Sequence, residues 1–280
     1  RAAKLNLLPK GIIFDKCAQP VSLKTIKKLK KTGYQYTSID EEALAIADEK
    51  NFAKSRYSKE TINESEIIFT WGRKHQNIMK KYYSNISDSK FVMSGNPRIT
   101  LLSDPDKYIN FYFNEINEIK NNYSGRIILF PSNFSYYTFN ANISYKDYMK
   151  KSKISYEDID GLIKTYKKNY YAFIGLLDKM STQFKNDTLI WRPHPTDDKQ
   201  KLKHDTKSFN NVFIDNSFGI TPWLYTSDML IHLGCTTALE MYQLFKPVIS
   251  YEKYFNKKHR NALPNFMSKR FSNKSDVINY

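Results

Sequence analysis

The sequence predicts an α/β fold with two Rossmann-like lobes that face each other across a cleft. Its 280 residues suit two domains of about 100–150 residues each. Short apolar runs that end in polar turns alternate with charged, amphipathic segments, which is the pattern of parallel strands joined by helices. A hydrophobic fraction of 41% provides enough apolar material for a core in each lobe.

The first lobe is predicted over residues 1–120. Its expected strands are Gly11–Phe14, Gln35–Ile39, Ile67–Gly72 and Phe91–Ser94. Its expected helices are Ser22–Lys31 and Lys74–Ser84. The chain starts at Arg1 without Met, and its first strand lacks the opening strand and glycine turn that usually come before it. We therefore expect this lobe to be truncated at its N-terminal side.

The second lobe is predicted over residues 121–280. Its expected strands are Arg126–Phe130, Thr188–Trp191, Asn211–Ile214, Met229–His232 and Pro247–Tyr251, and residues 146–184 are expected to be mostly helical. No Gly-rich or Pro-rich linker separates the lobes, so we expect them to be closely apposed with a ligand site in the cleft.

Composition and charge restrict the class of protein. Cys17 and Cys235 lie far apart without metal-type spacing, which argues against a disulfide scaffold or a zinc site. No apolar run approaches the roughly 18–20 residues of a membrane span, and no signal-peptide pattern is present, so a cytoplasmic location is predicted. The net charge of +16 suits phosphates, anionic lipid or nucleic acid. Peripheral contact with the inner membrane stays open, and nucleic acid is not expected because no RNA-binding fingerprint is found.

The sharpest candidate site is Arg192-Pro193-His194-Pro195, which directly follows a predicted strand. Two prolines restrict the backbone around one imidazole, and Arg192 adds a fork of donors suited to phosphate or carboxylate. Because ligand sites of α/β sheets lie at strand ends, the turn is interpreted as an anion site. The alternative is a rigid strand exit whose His caps a neighbouring helix.

A second candidate is the strand, turn and helix start around Gly234-Cys235-Thr236-Thr237. Hydroxyls and free backbone N–H groups at a helix start suit a phosphate. Thr237 and Glu240 also have the spacing of a capping box, which would satisfy those donors within the helix. Both interpretations can hold, with Thr236 and the backbone contacting the ligand.

Weaker candidates are spread over both lobes. Asn96 and Arg98 form a turn after a strand, with an ordinary surface turn as the alternative. The run Asp40-Glu41-Glu42, with Glu41 and Glu42 as the leading candidates, could include a general base, although acidic residues that open a helix commonly serve its dipole. Asn133 follows the first strand of the second lobe and could contact donor or acceptor. By contrast, the histidines His75, His204 and His259 are expected at the surface.

Walker-type loops, dinucleotide fingerprints, HExxH helices and nucleophile elbows do not occur in the sequence. The ordered motifs resemble bacterial surface-carbohydrate biosynthesis proteins, among them the retaining β-Kdo transferases. The motifs that carry the resemblance are Leu8–Gly11, Ile39–Glu42, Phe69–Gly72, Ser94–Arg98, Ser132–Phe134, Arg192–Pro195 and Cys235–Glu240.

The resemblance implies a GT-B-like glycosyltransferase that moves Kdo, or a related ulosonic acid, from a CMP-activated donor to a glycan or glycolipid acceptor. The chain is also similar to bacterial sialyltransferases. That similarity implies Glu41 and Glu42 as the acidic candidates, His194 as the donor contact, and Thr236 and Thr237 as the phosphate cradle. Neither a cofactor nor a metal is expected. Donors such as a UDP-sugar or CDP-glycerol remain the alternative.

The sequence departs from the retaining transferases at one important place. These enzymes are expected to carry an Asp nucleophile after the first strand of the second lobe, but residues 131–145 contain no carboxylate. Either the nucleophile lies elsewhere, with Asp158, Asp160, Asp197 and Asp198 as possibilities, or the mechanism differs. Retention and inversion are both left open.

Overall fold

The computed structural model describes residues 9–41, 43, 46, 48–139, 147, 158–254 and 262–280. The chain divides into two compact units between Thr100 and Leu101, earlier than the expected position near residue 120. The physical reason is that Leu102 and Ile119, on helices that follow the last strand of the first unit, pack into a core cluster of the second unit.

The first unit is a four-stranded sheet in which every strand runs parallel to its neighbours. In chain order the strands are β1 (Ile12–Asp15), β2 (Gln35–Ile39), β3 (Ile67–Thr70) and β4 (Phe91–Met93), and their order across the sheet is the same. Its helices are α1 (Leu23–Lys31), α2 (Glu49–Arg56), α3 (Lys59–Glu64), α4 (Arg73–Tyr82) and the beginning of α5 (Pro97–Ser103).

The core of the first unit lies on one face of this sheet. Ile26 and Leu29 are buried one turn apart on α1, as the apolar spacing of that helix predicts. They join Ile78 and Met79 of α4 and the strand residues Tyr36, Ile68 and Phe91 in a single cluster.

The second unit is a six-stranded parallel sheet. Its strands are β5 (Ile127–Pro131), β6 (Thr188–Arg192), β7 (Val212–Ile214), β8 (Met229–His232), β9 (Val248–Tyr251) and β10 (Lys269–Phe271), in the order β10-β9-β8-β5-β6-β7. The helices are α6 (Pro105–Tyr108), α7 (Phe113–Asn122), α8 (Ser135–Thr138), α9 (Ile159–Gln183), α10 (Lys199–Thr206), α11 (Ile220–Thr226), α12 (Thr237–Gln243), α13 (Ala262–Phe266) and α14 (Lys274–Asn279). This strand order is the doubly wound Rossmann arrangement.

Both faces of the second sheet carry a core. Ile128 and Leu189 face α9 and α10, whereas their neighbours Leu129 and Ile190 face α7, α11 and α12. Strands buried on both faces read as continuous apolar runs, which explains why the sequence identified β5 and β6 so readily. The sheet therefore provides a rigid platform for the loops at its carboxyl edge.

Candidate functional site

The candidate site lies where the strand order of the second sheet reverses. From β5 the chain proceeds to β6 and β7 on one side, and β8 returns to the other side of β5. In open α/β sheets, ligands bind outside the carboxyl ends of the strands at such a reversal. Two hydrogen bonds connect the loops here, from Asn133 Nδ2 to the carbonyl of Leu233 (2.9 Å) and from the Ser132 N–H to the carbonyl of Arg192 (2.9 Å).

The loop after β6 is held by the buried carboxylate of Asp197. This carboxylate accepts hydrogen bonds from the backbone N–H of His194 (2.8 Å), from Ser135 Oγ (3.0 Å) and from Thr138 Oγ1 (2.6 Å). The Asp197 N–H in turn donates to the carbonyl of His194 (2.9 Å). Together with Pro193 and Pro195, these bonds fix the backbone on both sides of the imidazole.

His194 itself is exposed, and its tautomer follows from its neighbours. The backbone N–H of Thr196 donates to His194 Nδ1 (3.3 Å), and Thr196 Oγ1 lies 2.7 Å from the same nitrogen. Because Nδ1 accepts, the neutral ring carries its proton on Nε2. An exposed imidazole with Nε2–H is a hydrogen-bond donor suited to a phosphate oxygen.

Arg192 is engaged with the protein backbone. Its guanidinium donates to the carbonyls of Ser217 (3.0 Å) and Phe218 (2.8 Å), and burial lowers the pKa of the guanidinium below its usual value. Phe218 has φ 58°, a conformation that L residues rarely adopt, so these two bonds hold a strained loop in place. This geometry supports a positioning role for Arg192, and the predicted phosphate contact stays a prediction.

The loop after β8 is held on its buried side by His232, which is itself fully buried. Its Nδ1 accepts from the Cys235 N–H (3.2 Å), so Nε2 carries the proton and donates to Ser268 Oγ (2.8 Å). Burial lowers the pKa of His232 to about 3, which keeps the ring neutral. The Gly234 N–H, a predicted phosphate donor, donates instead to Asn265 Oδ1 (2.7 Å). The sequence offered no signal for Asn265, because it comes from a distant helix.

The predicted capping box at the start of α12 is wrong. Thr236 is the N-cap residue and makes no side-chain cap hydrogen bond, so Thr237 is the first helical residue. Thr237 Oγ1 accepts instead from Cys235 Sγ (3.4 Å), and Glu240 is buried on the same helix. The first N–H groups of a helix have no acceptor within the helix, so those of Thr236 and Thr237 remain suited to an anion. The ligand roles of Thr236, Thr237 and Glu240 stay predictions.

Ser132 is a residue of this edge to which the sequence analysis gave no role. It follows β5 directly, is 5% exposed, and its Oγ finds no hydrogen-bond partner among the described residues. A buried hydroxyl without a partner is costly, and Ser132 is one of several side chains with such an atom among the described residues. What distinguishes Ser132 is its place at the carboxyl end of β5, beside the reversal. The signal that could have found it is its position directly after a strand at the reversal.

The first-unit candidates gather at the carboxyl edge of the smaller sheet. Glu41 is exposed and lies 3.7 Å from Lys16 Nζ and 4.0 Å from the Arg98 guanidinium. Asn96 accepts the Arg98 N–H through its side chain (2.8 Å), which caps α5. The companion acid Glu42 falls outside the described residues.

Beside these residues is a cavity of about 390 Å³, with Trp71, Gly95 and Asn96 among its lining residues. His75 also lines it and is 2% exposed, so the expected surface position of His75 is wrong. Its Nδ1 accepts the Trp71 N–H (3.3 Å), and burial lowers its pKa to about 4. His204 is exposed as expected, and His259 falls outside the described residues.

Three of the four carboxylates that the sequence analysis considered as nucleophiles accept hydrogen bonds that fix the backbone. Asp158 accepts the Gly161 N–H as the N-cap of α9 (2.9 Å). Asp198 accepts the N–H groups of Gln200 and Lys201 as the N-cap of α10. Asp197 holds the His194 loop, and Asp160 is exposed in the first turn of α9. These contacts favour structural roles for Asp158, Asp197 and Asp198.

Comparison with known proteins identifies the fold of the chain through solved structures, and not through sequence. No protein-family model matches the chain, and none of the curated proteins matches it in sequence. Among solved structures, a variant of the wall teichoic acid polymerase TagF soaked with CDPG (CDP-glycerol) matches with a TM-score of 0.53 and 13% identity. That match covers 95% of this chain, which spans 60% of the polymerase chain.

Two UDP-GlcNAc 2-epimerases match over 99% of this chain. The enzyme from Methanocaldococcus jannaschii has a TM-score of 0.55 at 14% identity, with 72% of its chain covered. The enzyme from Neisseria meningitidis, bound to UDP-GlcNAc, has a TM-score of 0.53 at 13% identity, with 68% covered. The chain therefore has a GT-B-like fold of Rossmann-like lobes, and the proteins that share it are enzymes acting with nucleotide-activated compounds.

None of the helices in the described part of the chain is long and apolar enough to span a membrane.

Proposed function

We propose that the chain is the catalytic part of a glycosyltransferase that takes its sugar from a nucleotide-activated donor and adds it to a surface carbohydrate. The observation that carries the proposal is the convergence of the loops after β5, β6 and β8 at the reversal point of the second sheet. His194 offers an imidazole N–H at this edge, and Thr236 and Thr237 offer hydroxyls and helix-start N–H groups. Such donors suit the phosphate of a nucleotide.

These hydrogen-bond donors can assist the transfer reaction. When the bond between sugar and phosphate breaks, negative charge develops on the departing phosphate oxygen. Fixed hydrogen-bond donors stabilise that charge more in the transition state than in the ground state. In this proposal His194 Nε2–H and the start of α12 act on the phosphate, while Asn133 and Ser132 shape the floor of the site.

The proposed donor is CMP-Kdo or a related CMP-ulosonic acid, on the strength of the ordered sequence motifs. The acceptor is then a bacterial polysaccharide or lipopolysaccharide, and Glu41 or Glu42 is the candidate base for its hydroxyl. A second candidate is CDP-glycerol, favoured by the fold likeness to TagF soaked with CDPG. Both donors present a cytidine phosphate, so the two candidates share one nucleotide requirement.

Thermal unfolding of the purified chain with CMP, CDP and UDP tests the proposal. A ligand at 100 times its Kd stabilises a protein by about 2.7 kcal/mol, which gives a measurable rise in Tm. Stabilisation by CMP, followed by release of CMP from CMP-Kdo with an acceptor, supports the first candidate. Stabilisation by CDP with turnover of CDP-glycerol supports the second. Stabilisation by UDP alone, or by none of the three, contradicts a cytidine-activated donor.

A further inference from the structure

The first half of α9 carries a row of lysines without balancing carboxylates. Lys164, Lys167 and Lys168 are exposed and lie about one turn apart on one side of the helix. The stretch from Gly161 to Leu177 contains no acidic residue, and within the described part of the chain none of the three lysines forms an ion pair. Like charges three or four residues apart destabilise a helix, so the fold gains nothing from this row.

Tyrosine rings lie on both sides of the row. The Nζ atom of Lys167 is 5.7 Å from the ring centroid of Tyr137, and that of Lys168 is 5.7 Å from the ring centroid of Tyr254. Neighbouring residues of a helix are about 100° apart around its axis, so the two ammonium groups reach opposite sides of α9. Tyr171 is 48% exposed and Tyr254 is 42% exposed, so both rings keep accessible area. We call this set the Tyr–Lys surface, which consists of Lys164, Lys167, Lys168, Tyr171, Tyr137 and Tyr254.

Hydrogen bonds hold these tyrosines in place. Asn169 of α9 is 2% exposed; its Nδ2 donates to the carbonyl of Tyr254 (3.0 Å), and its Oδ1 accepts the Tyr254 N–H (3.1 Å). The hydroxyl oxygens of Tyr137 and Tyr171 are 2.9 Å apart and share a hydrogen bond. An aromatic side chain that is fixed before binding loses little conformational freedom when a ligand arrives. The surface is therefore preorganised for a ligand.

The Tyr–Lys surface adjoins the candidate site. α9 is the crossover helix that leads into β6, so it runs against the strand direction and begins at the carboxyl edge of the second sheet. Tyr137 lies in α8 between Ser135 and Thr138. The hydroxyls of those two residues donate to Asp197, whose carboxylate also accepts the His194 N–H. A chain bound along this surface can therefore continue into the candidate site.

The chemistry of the surface suits an anionic chain that also has apolar faces. Lysine ammonium groups pair with carboxylates or phosphates, and a tyrosine ring offers an apolar face against which the C–H face of a sugar can pack. A membrane surface would call for Trp, Phe or Leu side chains that insert below the head groups, whereas the aromatic residues here are all tyrosines. The surface thus favours an acidic glycan over a lipid bilayer.

We propose, as an extension that rests on the proposed function, that the Tyr–Lys surface binds the acidic glycan chain outside the reaction centre. Both candidate donors lead to such a chain, because an ulosonic acid carries a carboxylate and glycerol phosphate forms a phosphodiester. The lysines pair with these anionic groups, and the rings of Tyr171 and Tyr254 pack against the sugar or glycerol units between them.

Fluorescence anisotropy of the 280-residue chain with a labelled oligosialic acid, an oligomer of acidic ulosonic sugars, tests the proposal. A labelled malto-oligosaccharide is the neutral probe. We expect the acidic probe to bind selectively, and the double variant Lys167→Gln/Lys168→Gln to raise its Kd about tenfold or more. Tyr254→Ala is expected to raise the Kd about fivefold, whereas Tyr254→Phe, which keeps the ring, should retain the affinity.

The same unit offers a matched control at another edge of its sheet. Lys269 Nζ lies 6.0 Å from the ring centroid of Tyr280, and Lys269→Gln and Tyr280→Ala should leave the Kd unchanged. Titration of the double lysine variant with CMP separates this inference from the proposed function. Binding of CMP without binding of oligosialic acid defeats only the glycan surface, and the reverse result defeats only the nucleotide site.

Equal affinity for the acidic and the neutral probe would overturn the proposal, as would a Kd for oligosialic acid that no variant of the surface changes. Tighter binding of a single-stranded oligonucleotide, or of phosphatidylglycerol vesicles, through the same residues would also overturn it. The surface would then serve nucleic acid or lipid and not a glycan.

Discussion

Asp197 shows how a residue beside a predicted site can act on the backbone of that site. Its carboxylate joins the His194 loop to Ser135 and Thr138, and it is 2% exposed. A carboxylate that accepts three hydrogen bonds inside the protein is a positioning group for the loop. Its neighbour Asp198 caps α10 at a more accessible position. The two adjacent aspartates therefore form a natural pair for comparison.

Asp197→Ala is expected to lower the free energy of unfolding by about 3 kcal/mol, because it leaves buried donors without an acceptor. Asp198→Ala is expected to cost only about 1 kcal/mol, the usual value of an N-cap. Urea unfolding of both variants measures the difference. Equal losses for the two variants would show that Asp197 does not hold the loop as described.

The buried histidines predict a loss of stability in acid. Burial lowers the pKa of His75 to about 4 and that of His232 to about 3, below the unfolded value of about 6.5. Below pH 6.5 the unfolded chain takes up protons that the folded chain does not, so stability is full above pH 6.5 and falls toward pH 4. Each histidine contributes up to about 1.4 kcal/mol per pH unit in this window.

Urea unfolding at pH 7, 6 and 5 measures this effect. His232→Gln is expected to reduce the pH dependence of the free energy of unfolding of the second unit. His204→Gln is the control at an exposed histidine. A pH dependence that is unchanged by His232→Gln would mean that this ring does not titrate on unfolding.

At the scale of elements, a tight turn before β5 gives the clearest prediction. Gly125 has φ +71°, and a Cβ there would lie 1.9 Å from the backbone oxygen of Asn186. Gly125→Ala is therefore expected to destabilise the protein by more than about 2 kcal/mol. Gly175→Ala is the control within α9, where open space surrounds the added methyl, and it is expected to stabilise by about 0.5–1 kcal/mol. Thermal unfolding of both variants measures whether the Tm falls for Gly125→Ala and rises for Gly175→Ala.

The sequence predicted the strands β1 to β9, including the edge strands β1, β4 and β7, and missed the edge strand β10. The predicted Gln35–Ile39 and Met229–His232 agree with the structure to the residue. Met229–His232 carries an apolar run, whereas Gln35–Ile39 was identified by its place between a helix and a polar turn. The strand β10 (Lys269–Phe271) is polar and exposed at the sheet edge, so it carries no apolar signal. The burial of His75 and the contact between Asn265 and Gly234 depend on tertiary packing, which local patterns do not contain.

The position of the candidate site in the fold was partly predictable, while the ligand roles of its residues stay predictions. A polar turn after a buried strand marks the carboxyl edge of a sheet, which is why Arg192, His194 and Asn133 were singled out as candidates at this edge. The sequence could not show that Arg192 is tied to the carbonyls of Ser217 and Phe218, or that Asp197 and His232 hold the loops from inside. Ser217 and Phe218 lie 25 and 26 residues after Arg192 in the sequence. The contacts of Asp197 and His232 form only when their loops have folded.

At the scale of the molecule, the second unit carries the candidate site. The second unit contains a six-stranded doubly wound sheet, and its reversal point brings together the loops that carry His194, Asn133 and Thr236. The fold is shared by proteins with different nucleotide compounds, a TagF variant soaked with CDPG and an epimerase bound to UDP-GlcNAc, so the fold by itself does not identify a ligand. Binding of a cytidine nucleotide at this edge is therefore the property that distinguishes the proposed function from the alternatives.

Calorimetric titration of the purified chain with CMP, with UDP as the control ligand, tests that claim most directly. We expect CMP to bind selectively and His194→Ala to weaken binding by about tenfold or more, which corresponds to about 1.4 kcal/mol. His204→Ala is the matched control, because His204 is an exposed histidine of the same unit on α10, away from the loop ends. Binding of neither nucleotide, or equal binding by the His194→Ala variant and the unmodified chain, would contradict the assignment.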